Sequence, residues 1–120
     1  MRSILIVEDD RLMTKLLNAM LPAADYEVVS INDGSTALLE LRRRRFDAVL
    51  LDLNIPHLDG FSLIEVLRQE GIDVPIMLMT ASPEPELEAR AHALGVADFI
   101  PKPIQKAMLI KRLEKVFKAD

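Results

Sequence analysis

The sequence of 120 residues contains no cysteine, so disulfide bonds and thiolate metal sites are excluded. It has no apolar run near the ~18 residues that a membrane span needs. Acidic residues follow the first apolar run (MRSILIVEDD) too soon for a signal peptide. The chain also lacks an excess of basic residues: its net charge is −4, which disfavours non-specific binding of nucleic acid. We therefore expect a cytoplasmic protein that binds neither membranes nor nucleic acid.

The sequence is rich in hydrophobic residues, at 50%, and its length fits one domain, residues 1–120, with a core of its own. Short, nearly continuous apolar runs alternate with helical patterns along the chain. Such runs are typical of strands that are buried on both faces of a parallel sheet. The strands that we predict are Ser3–Val7, Tyr26–Ile31, Ala48–Leu51, Pro75–Met79 and Ala97–Ile100.

Five helices are predicted from apolar residues that recur every three or four positions. The first carries its apolar stripe on Leu12, Leu16 and Met20, together with Met13 and Leu17. Because five strands alternate with five helices, the sequence predicts an α/β fold: a doubly wound parallel sheet with helices on both faces.

Cap and turn residues predict where the helices begin and end. Asp10 is the expected N-cap of the first helix, and Gly71 the expected end of the third. In the fourth, Ser82 suits the N-cap and Pro83 the first helical position. The other predicted boundaries are an opening near Asp33 and Gly34 for the second helix, an end at Gly95 for the fourth, and about Ile104 to Phe117 for the fifth.

Polar side chains stand just past the carboxyl ends of four predicted strands. They are Glu8, Asp9 and Asp10 after the first strand, Asp52 after the third, Thr80 after the fourth and Lys102 just beyond the fifth. The carboxyl ends of parallel strands meet at one edge of the sheet, so we expect these groups to converge. Carboxylates without a cysteine or a nearby histidine favour Mg²⁺ or Mn²⁺ over zinc, and Mg²⁺ readily accepts a phosphate oxygen. This edge therefore predicts phosphoryl chemistry.

Four segments carry a specific resemblance: ILIVEDD, LLDLNIPHLDG, MLMTAS and DFIPKP. With them the chain resembles the receiver domains of response regulators, the CheY-like family, along essentially its whole length. The resemblance implies a flavodoxin-like five-stranded sheet of order 2-1-3-4-5. It implies a phosphorylatable signalling switch of a two-component system or phosphorelay, with no catalysis beyond its own aspartyl phosphorylation and dephosphorylation.

The same resemblance implies partners and a set of switching residues. A sensor histidine kinase or a histidine phosphotransfer protein would supply the phosphoryl group to Asp52. Lys102 would pair with the acceptor carboxylate and then with the phosphoryl oxygens, while Thr80 and Phe99 would carry the switch. A downstream partner or output domain would bind the face formed by the fourth helix, the fifth strand and the fifth helix.

The metal ligands implied by the resemblance are Glu8, Asp9, Asp52 and the backbone carbonyl of Asn54. Glu8 is longer than the aspartate that the family often has, so we expect it to act through a metal-bound water. The side chains of Asn54 and Ser82 occupy positions that tune the phosphoryl lifetime. The Lys102–Pro103 bond resembles a cis peptide of the family.

Other interpretations stay open on the sequence alone. A haloacid-dehalogenase-type phosphatase also uses an aspartate nucleophile with Mg²⁺, but Asn54 stands where its second aspartate belongs. A flavodoxin would need a phosphate loop rich in Ser, Thr and Gly after the first strand. A receiver-like module that is never phosphorylated is a further alternative. His57 and His92 are interpreted as structural, and the arginines at 42–45 as the solvated end of the second helix.

Overall fold

The computed structural model describes residues 1–118 and shows five strands that alternate with five helices. The strands are β1 (Arg2–Val7), β2 (Tyr26–Ile31), β3 (Ala48–Asp52), β4 (Ile76–Thr80) and β5 (Asp98–Pro101). The helices are α1 (Arg11–Met20), α2 (Gly34–Arg43), α3 (Gly60–Gln69), α4 (Pro85–Ala93) and α5 (Lys106–Lys118). All strand pairs are parallel, and the order β2-β1-β3-β4-β5 confirms the prediction. Within residues 1–118, no helix has the length and hydropathy that a membrane crossing requires.

Both faces of the sheet are covered, as the continuous apolar runs predict. Successive strand residues point to opposite faces, so β1 sends Ile4 and Ile6 to one core and Leu5 and Val7 to the other. The first core is completed by α1 and α5, and the second by α2, α3 and α4. This arrangement leaves the carboxyl ends of the central strands at one edge of the sheet.

The apolar stripe predicted for α1 is wrong at two positions. Leu12 and Leu16 are 66% and 45% exposed, whereas Leu17 is fully buried and Met13 and Met20 pack beside it. Met13, Leu17 and Met20 are spaced four and three residues apart, which places them on one side of the helix. Leu12 and Leu16 lie on the neighbouring side, away from the sheet.

The predicted start of α4 is also wrong. The helix begins at Pro85 with Glu84 in the N-cap position, whereas Ser82 and Pro83 lie in the preceding loop. A residue before proline is driven towards extended backbone, and Glu84 has φ −89° and ψ 145°. Glu84 therefore breaks a helix that would start at Pro83. The fifth helix similarly begins at Lys106 instead of Ile104, whose side chain is buried in the core beside α1 and α5.

Side-chain caps and glycines set the other helix ends. Asp10, Asp33 and Asp59 each accept backbone N–H groups at the start of α1, α2 and α3. Gly71 and Gly95 follow α3 and α4 with φ of +76° and +72°, a conformation that glycine adopts without a side-chain clash. These ends confirm the boundaries expected at Asp10, Asp33, Gly71 and Gly95.

The arginines at 42–45 lie at the end of α2 and beyond it, and all four are exposed. Arg42 donates to Glu70 and Arg44 donates to Glu27. The run is therefore the solvated helix end that the sequence indicates, at the edge of the sheet opposite the carboxyl ends of the strands.

We expect Asp59→Ala to lower the free energy of unfolding by about 1 kcal/mol at pH 7, because the variant loses the N-cap of α3. The backbone hydrogen bond from Ser62 lowers the pKa of Asp59 below its usual 3.8. A carboxyl whose pKa is lower in the folded state stabilises the fold above pH 3.8 and loses that effect as the pH falls through the folded pKa. Urea unfolding of the wild type and the variant at pH 7 and at a pH below the folded pKa of Asp59 measures both effects.

Asp59→Asn is the control for this prediction, because an asparagine side chain also accepts the cap hydrogen bond. The account of the cap would be contradicted if Asn and Ala destabilised the protein equally at pH 7.

Candidate functional site

Three carboxylates meet where β1 and β3 end. One oxygen from each of Glu8, Asp9 and Asp52 lies within 4.8 Å of the others. Glu8 and Asp52 are only 2% and 7% exposed, and Asp9 is exposed. Strands β1 and β3 pair in parallel, Val7 with Leu51, which brings the residues that follow them to the same place. Hard oxygen donors in this number suit Mg²⁺.

The ammonium of Lys102 faces two of these carboxylates. Its Nζ lies 3.0 Å from Glu8 Oε1 and 3.5 Å from Asp52 Oδ2. The backbone N–H of Lys102 donates to Thr80 O at 2.7 Å, which attaches the loop after β5 to the end of β4. The bond between Lys102 and Pro103 is cis, as the resemblance implies.

The carboxylate that lies closest to Lys102 differs from the expected one. The resemblance implies a pairing with Asp52, but the ammonium lies closer to Glu8. Glu8 is one methylene longer than an aspartate, so its carboxylate reaches further towards the ammonium. Its other oxygen, Oε2, accepts the backbone N–H of Asp10 at 3.2 Å. Each oxygen of the Glu8 carboxylate thus has its own hydrogen-bond donor.

Burial and neighbouring charges shift the pKa values of this pair. Burial raises the pKa of Glu8 above its usual 4.5, the Asp52 carboxyl raises it further, and Lys102 opposes both. Burial lowers the pKa of Lys102, but its interactions with Glu8 and Asp52 outweigh this effect, so the pKa of the ammonium is raised. Carboxylates this close need positive charge, and Lys102 provides part of it.

The loop after β3 orients the Asp52 side chain. The backbone N–H of Asn54 donates to Asp52 Oδ1 at 3.3 Å, and Oδ2 faces the ammonium of Lys102. The two carboxylate oxygens are thus in different surroundings. The Asn54 side chain is exposed. The use of its carbonyl as a metal ligand stays a prediction.

Thr80 ends β4 and is 2% exposed. Its Oγ1 accepts the backbone N–H of Ser82 at 3.1 Å, so the hydroxyl holds the loop that leads to α4. Ser82 itself is exposed. The structure therefore places Thr80 at the same edge as the carboxylates and gives its hydroxyl a bond within its own loop.

Phe99 lies in β5 and is half-buried against the core on the α4 side. The backbone oxygen of Phe99 accepts from Arg112 Nη1 at 3.4 Å, and Asp98 Oδ1 accepts from the same nitrogen at 3.0 Å. Asp98 of β5 and Arg112 of α5 thus form an ion pair. The sequence does not predict it, because nothing in the spacing of the two residues marks them as partners.

The chain matches a known family over most of its length. The sequence model for the response regulator receiver domain matches residues 4–114. The protein belongs to this family. A receiver domain is a signalling switch of two-component response regulators. This membership rules out the two other families considered from the sequence, the flavodoxins and the haloacid-dehalogenase-type phosphatases.

Curated relatives agree with this membership. The receiver domain is 33% identical to the regulatory protein VanRB of Enterococcus faecalis over 115 residues, which are 96% of this chain and 52% of that protein. It is 35% identical to the response regulator MprA of Mycobacterium leprae over 115 residues, which are 96% of this chain and 50% of that protein. The chain therefore spans about half the length of these relatives.

Solved structures show the same fold. The receiver domain of the sensor histidine kinase PA1611 from Pseudomonas aeruginosa, 32% identical, has a TM-score of 0.87 with 98% of both chains covered. That structure holds a magnesium ion in its active-site cleft. The chemotaxis protein CheY4 of Vibrio cholerae is 30% identical, with a TM-score of 0.88. The match covers 97% of this chain and 98% of the CheY4 chain.

Proposed function

We propose that the receiver domain, taken as residues 1–120, accepts a phosphoryl group on Asp52 in a Mg²⁺-dependent reaction and thereby changes its partner-binding face. The observation that carries the proposal is the convergence of three carboxylates with the Lys102 ammonium at the carboxyl edge of the sheet. The donor would be a phosphohistidine on a sensor histidine kinase or a histidine phosphotransfer protein.

Glu8, Asp9, Asp52 and the Asn54 backbone carbonyl would hold the metal, and the clustered oxygen donors fit Mg²⁺, with Mn²⁺ as a substitute. When bound, the metal supplies positive charge to the phosphoryl oxygens. Glu8 would contact it through a bound water, since its carboxylate is already engaged by Lys102 and the Asp10 N–H.

In the reaction, a carboxylate oxygen of Asp52 attacks phosphorus in line with the bond to the donor imidazole. An O–P bond forms, the P–N bond breaks, and the imidazole nitrogen keeps the electron pair. Asn54 holds Oδ1 through its backbone N–H, while Lys102 faces Oδ2 and neutralises charge that builds up on the phosphoryl oxygens. Asn54 and Ser82, which are both exposed, would tune the later attack of water.

Thr80 and Phe99 would transmit the change. A phosphoryl oxygen on Asp52 offers the Thr80 hydroxyl a charged acceptor, which is stronger than a neutral one. Phe99 is half-buried and packs against the α4 side of the core, so a change in its packing would reach that side. The affected face, formed by α4, β5 and α5, would bind a downstream protein or output domain. We propose that the domain works in the cytoplasm, catalyses no reaction beyond its own phosphorylation and dephosphorylation, and contacts neither nucleic acid nor membrane.

The test is incubation of the protein with a small phosphodonor, with and without Mg²⁺, followed by intact-mass measurement. We expect one phosphoryl adduct with Mg²⁺ and none after chelation of the metal. Asp52→Asn would lose the adduct, and the matched control Asp73→Asn, an exposed aspartate at the far edge of the sheet, would keep it. An unmodified wild-type protein would instead indicate a receiver that is never phosphorylated.

A further inference from the structure

The fourth helix has little contact with the core. Ala91 is buried and Leu87 is half-buried, while the other residues of α4 are exposed. Within the described residues 1–118, its N-cap position, Glu84, makes no side-chain cap hydrogen bond. Burial of apolar area therefore holds this helix weakly, and polar contacts decide which of its two ends is fixed.

Arg68, near the end of α3, connects two loops through its guanidinium. Its Nη1 donates to Ile72 O at 2.9 Å and Val74 O at 3.3 Å, both in the loop between α3 and β4. Its Nε donates to Leu94 O at 3.2 Å and its Nη2 to Gly95 O at 3.3 Å, both just past α4. One side chain thus attaches the C-terminal end of α4 to α3.

The charge of Arg68 strengthens this attachment. Carbonyl groups at the C-terminal ends of helices carry partial negative charge, and Arg68 donates to such groups just beyond both α3 and α4. Hydrogen bonds from a charged donor are stronger than neutral ones, and the planar guanidinium reaches several acceptors at once. Burial lowers the pKa of Arg68, yet an arginine stays protonated at neutral pH.

Arg90 adds a second attachment in the last turn of α4. Its Nη2 donates to Glu65 Oε1 of α3 at 2.9 Å, and its guanidinium carbon lies 4.3 Å from the centre of the buried Phe61 ring. A guanidinium over an aromatic face is attractive. Arg68 and Arg90 therefore both fix the same end of α4 to the same helix.

The other end of α4 begins next to the switch residue. Thr80 Oγ1 accepts from Ser82 N, and Ser82 O accepts from Glu84 N at 2.9 Å, which forms a chain of bonds from the site to the helix start. Residues 81–86 are all exposed. If Thr80 turns towards a phosphoryl group, the first bond of this chain is lost and the loop is released.

We propose that Arg68 and Arg90 form a clasp that fixes the C-terminal end of α4 to α3, so that within α4 and the loop before it the response to phosphorylation is confined to residues 81–88. The helix would move about its clasped end, in the way that a few residues act as a hinge. This inference rests on the proposed function, since it states where the phosphorylation signal enters α4 and where it stops.

Hydrogen exchange with mass spectrometry tests the clasp on the whole chain, before and after treatment with a small phosphodonor and Mg²⁺. In the untreated wild type we expect the amides of residues 91–96 to exchange about tenfold more slowly than those of 81–88. Phosphorylation would change exchange in 81–88 and leave 91–96 unaltered. Equal changes in both segments would refute the clasp.

Three substitutions distinguish a local clasp from an effect on the stability of the whole protein. Arg68→Gln is expected to speed exchange of 91–96 about tenfold in the untreated protein, while the central strand β3 keeps its protection. Arg68→Lys, which keeps the charge but lacks the planar guanidinium, would give an intermediate exchange rate. Arg45→Gln, which changes an exposed arginine, would leave the exchange rate of 91–96 as it is in the wild type. The proposal would be overturned if Arg68→Gln left the protection of 91–96 unaltered, or if β3 lost as much protection as 91–96. If Arg68→Gln does not fold, Arg90→Gln replaces it.

Intact mass of the same samples distinguishes the two proposals. Wild type without a phosphoryl adduct would refute the proposed function, whereas the comparison of untreated wild type with Arg68→Gln would still support or overturn the clasp.

Discussion

Lys102→Met is expected to lower the free energy of unfolding by about 3 kcal/mol in magnesium-free buffer at pH 7, because it leaves a buried carboxylate pair without its ammonium. Lys102 Nζ lies 3.0 Å from Glu8 and 3.5 Å from Asp52, and the Glu8 side chain has no exposed area. Removing one member of a buried ion pair costs more than the pair contributes, since the remaining charge stays desolvated. Urea unfolding of both proteins measures the difference.

Added Mg²⁺ is expected to reduce this deficit, because the cation would compensate the same carboxylates. A ligand that binds only the folded state stabilises it as its concentration rises above Kd. The matched control is Lys106→Met, an exposed lysine at the start of α5, for which we expect a change within about 0.5 kcal/mol and no dependence on Mg²⁺. If the Lys102 and Lys106 variants behaved alike, the electrostatic account of the site would be wrong.

Asp52→Asn is expected to raise the free energy of unfolding by about 1 kcal/mol in magnesium-free buffer, although we expect the same variant to lose phosphorylation. Asp52 raises the pKa of Glu8, mainly because the two carboxyls are close enough to share a proton and to a smaller extent because their charges repel. An asparagine side chain removes that repulsion and still accepts the Asn54 N–H through its oxygen. Lys102 keeps its closer partner, Glu8.

The same pair of proteins is then measured with Mg²⁺. Wild type is expected to gain more stability than Asp52→Asn, because the variant lacks one of the three carboxylates of the cluster. The stability difference seen without metal would therefore shrink or reverse. A variant that is less stable than wild type in magnesium-free buffer would show that Asp52 contributes to folding and is not held there at a cost.

Most of the fold can be predicted from the sequence, because the apolar runs that indicate strands do not depend on how individual side chains pack. Continuous apolar runs such as ILIV predict strands that are buried on both faces, and the two cores on either side of β1 agree with this prediction. Periodicity alone is weaker for α1. Leu12, Leu16 and Leu17 all fit a helical spacing, and only the packing against the sheet selects Leu17 for the core.

The sequence predicts which residues stand at the strand ends and form the site. It does not predict which of their atoms contact one another. Parallel topology brings Glu8, Asp9 and Asp52 together, which the sequence indicates through their positions after apolar runs. The preference of Lys102 for Glu8 over Asp52 depends on one methylene and on local geometry. The contacts of Arg68 are harder still to foresee, because its acceptors are backbone carbonyls that any residue type supplies.

The most direct test of the central claim is to identify the residue that carries the phosphoryl group. An aspartyl phosphate is an acyl phosphate, so borohydride reduces it to an alcohol and marks its position for peptide mass spectrometry. After treatment with a small phosphodonor and Mg²⁺, we expect this mark on Asp52 and on no other residue. A phosphoryl group that resists reduction, or one found on His57 in the same loop, would contradict the account.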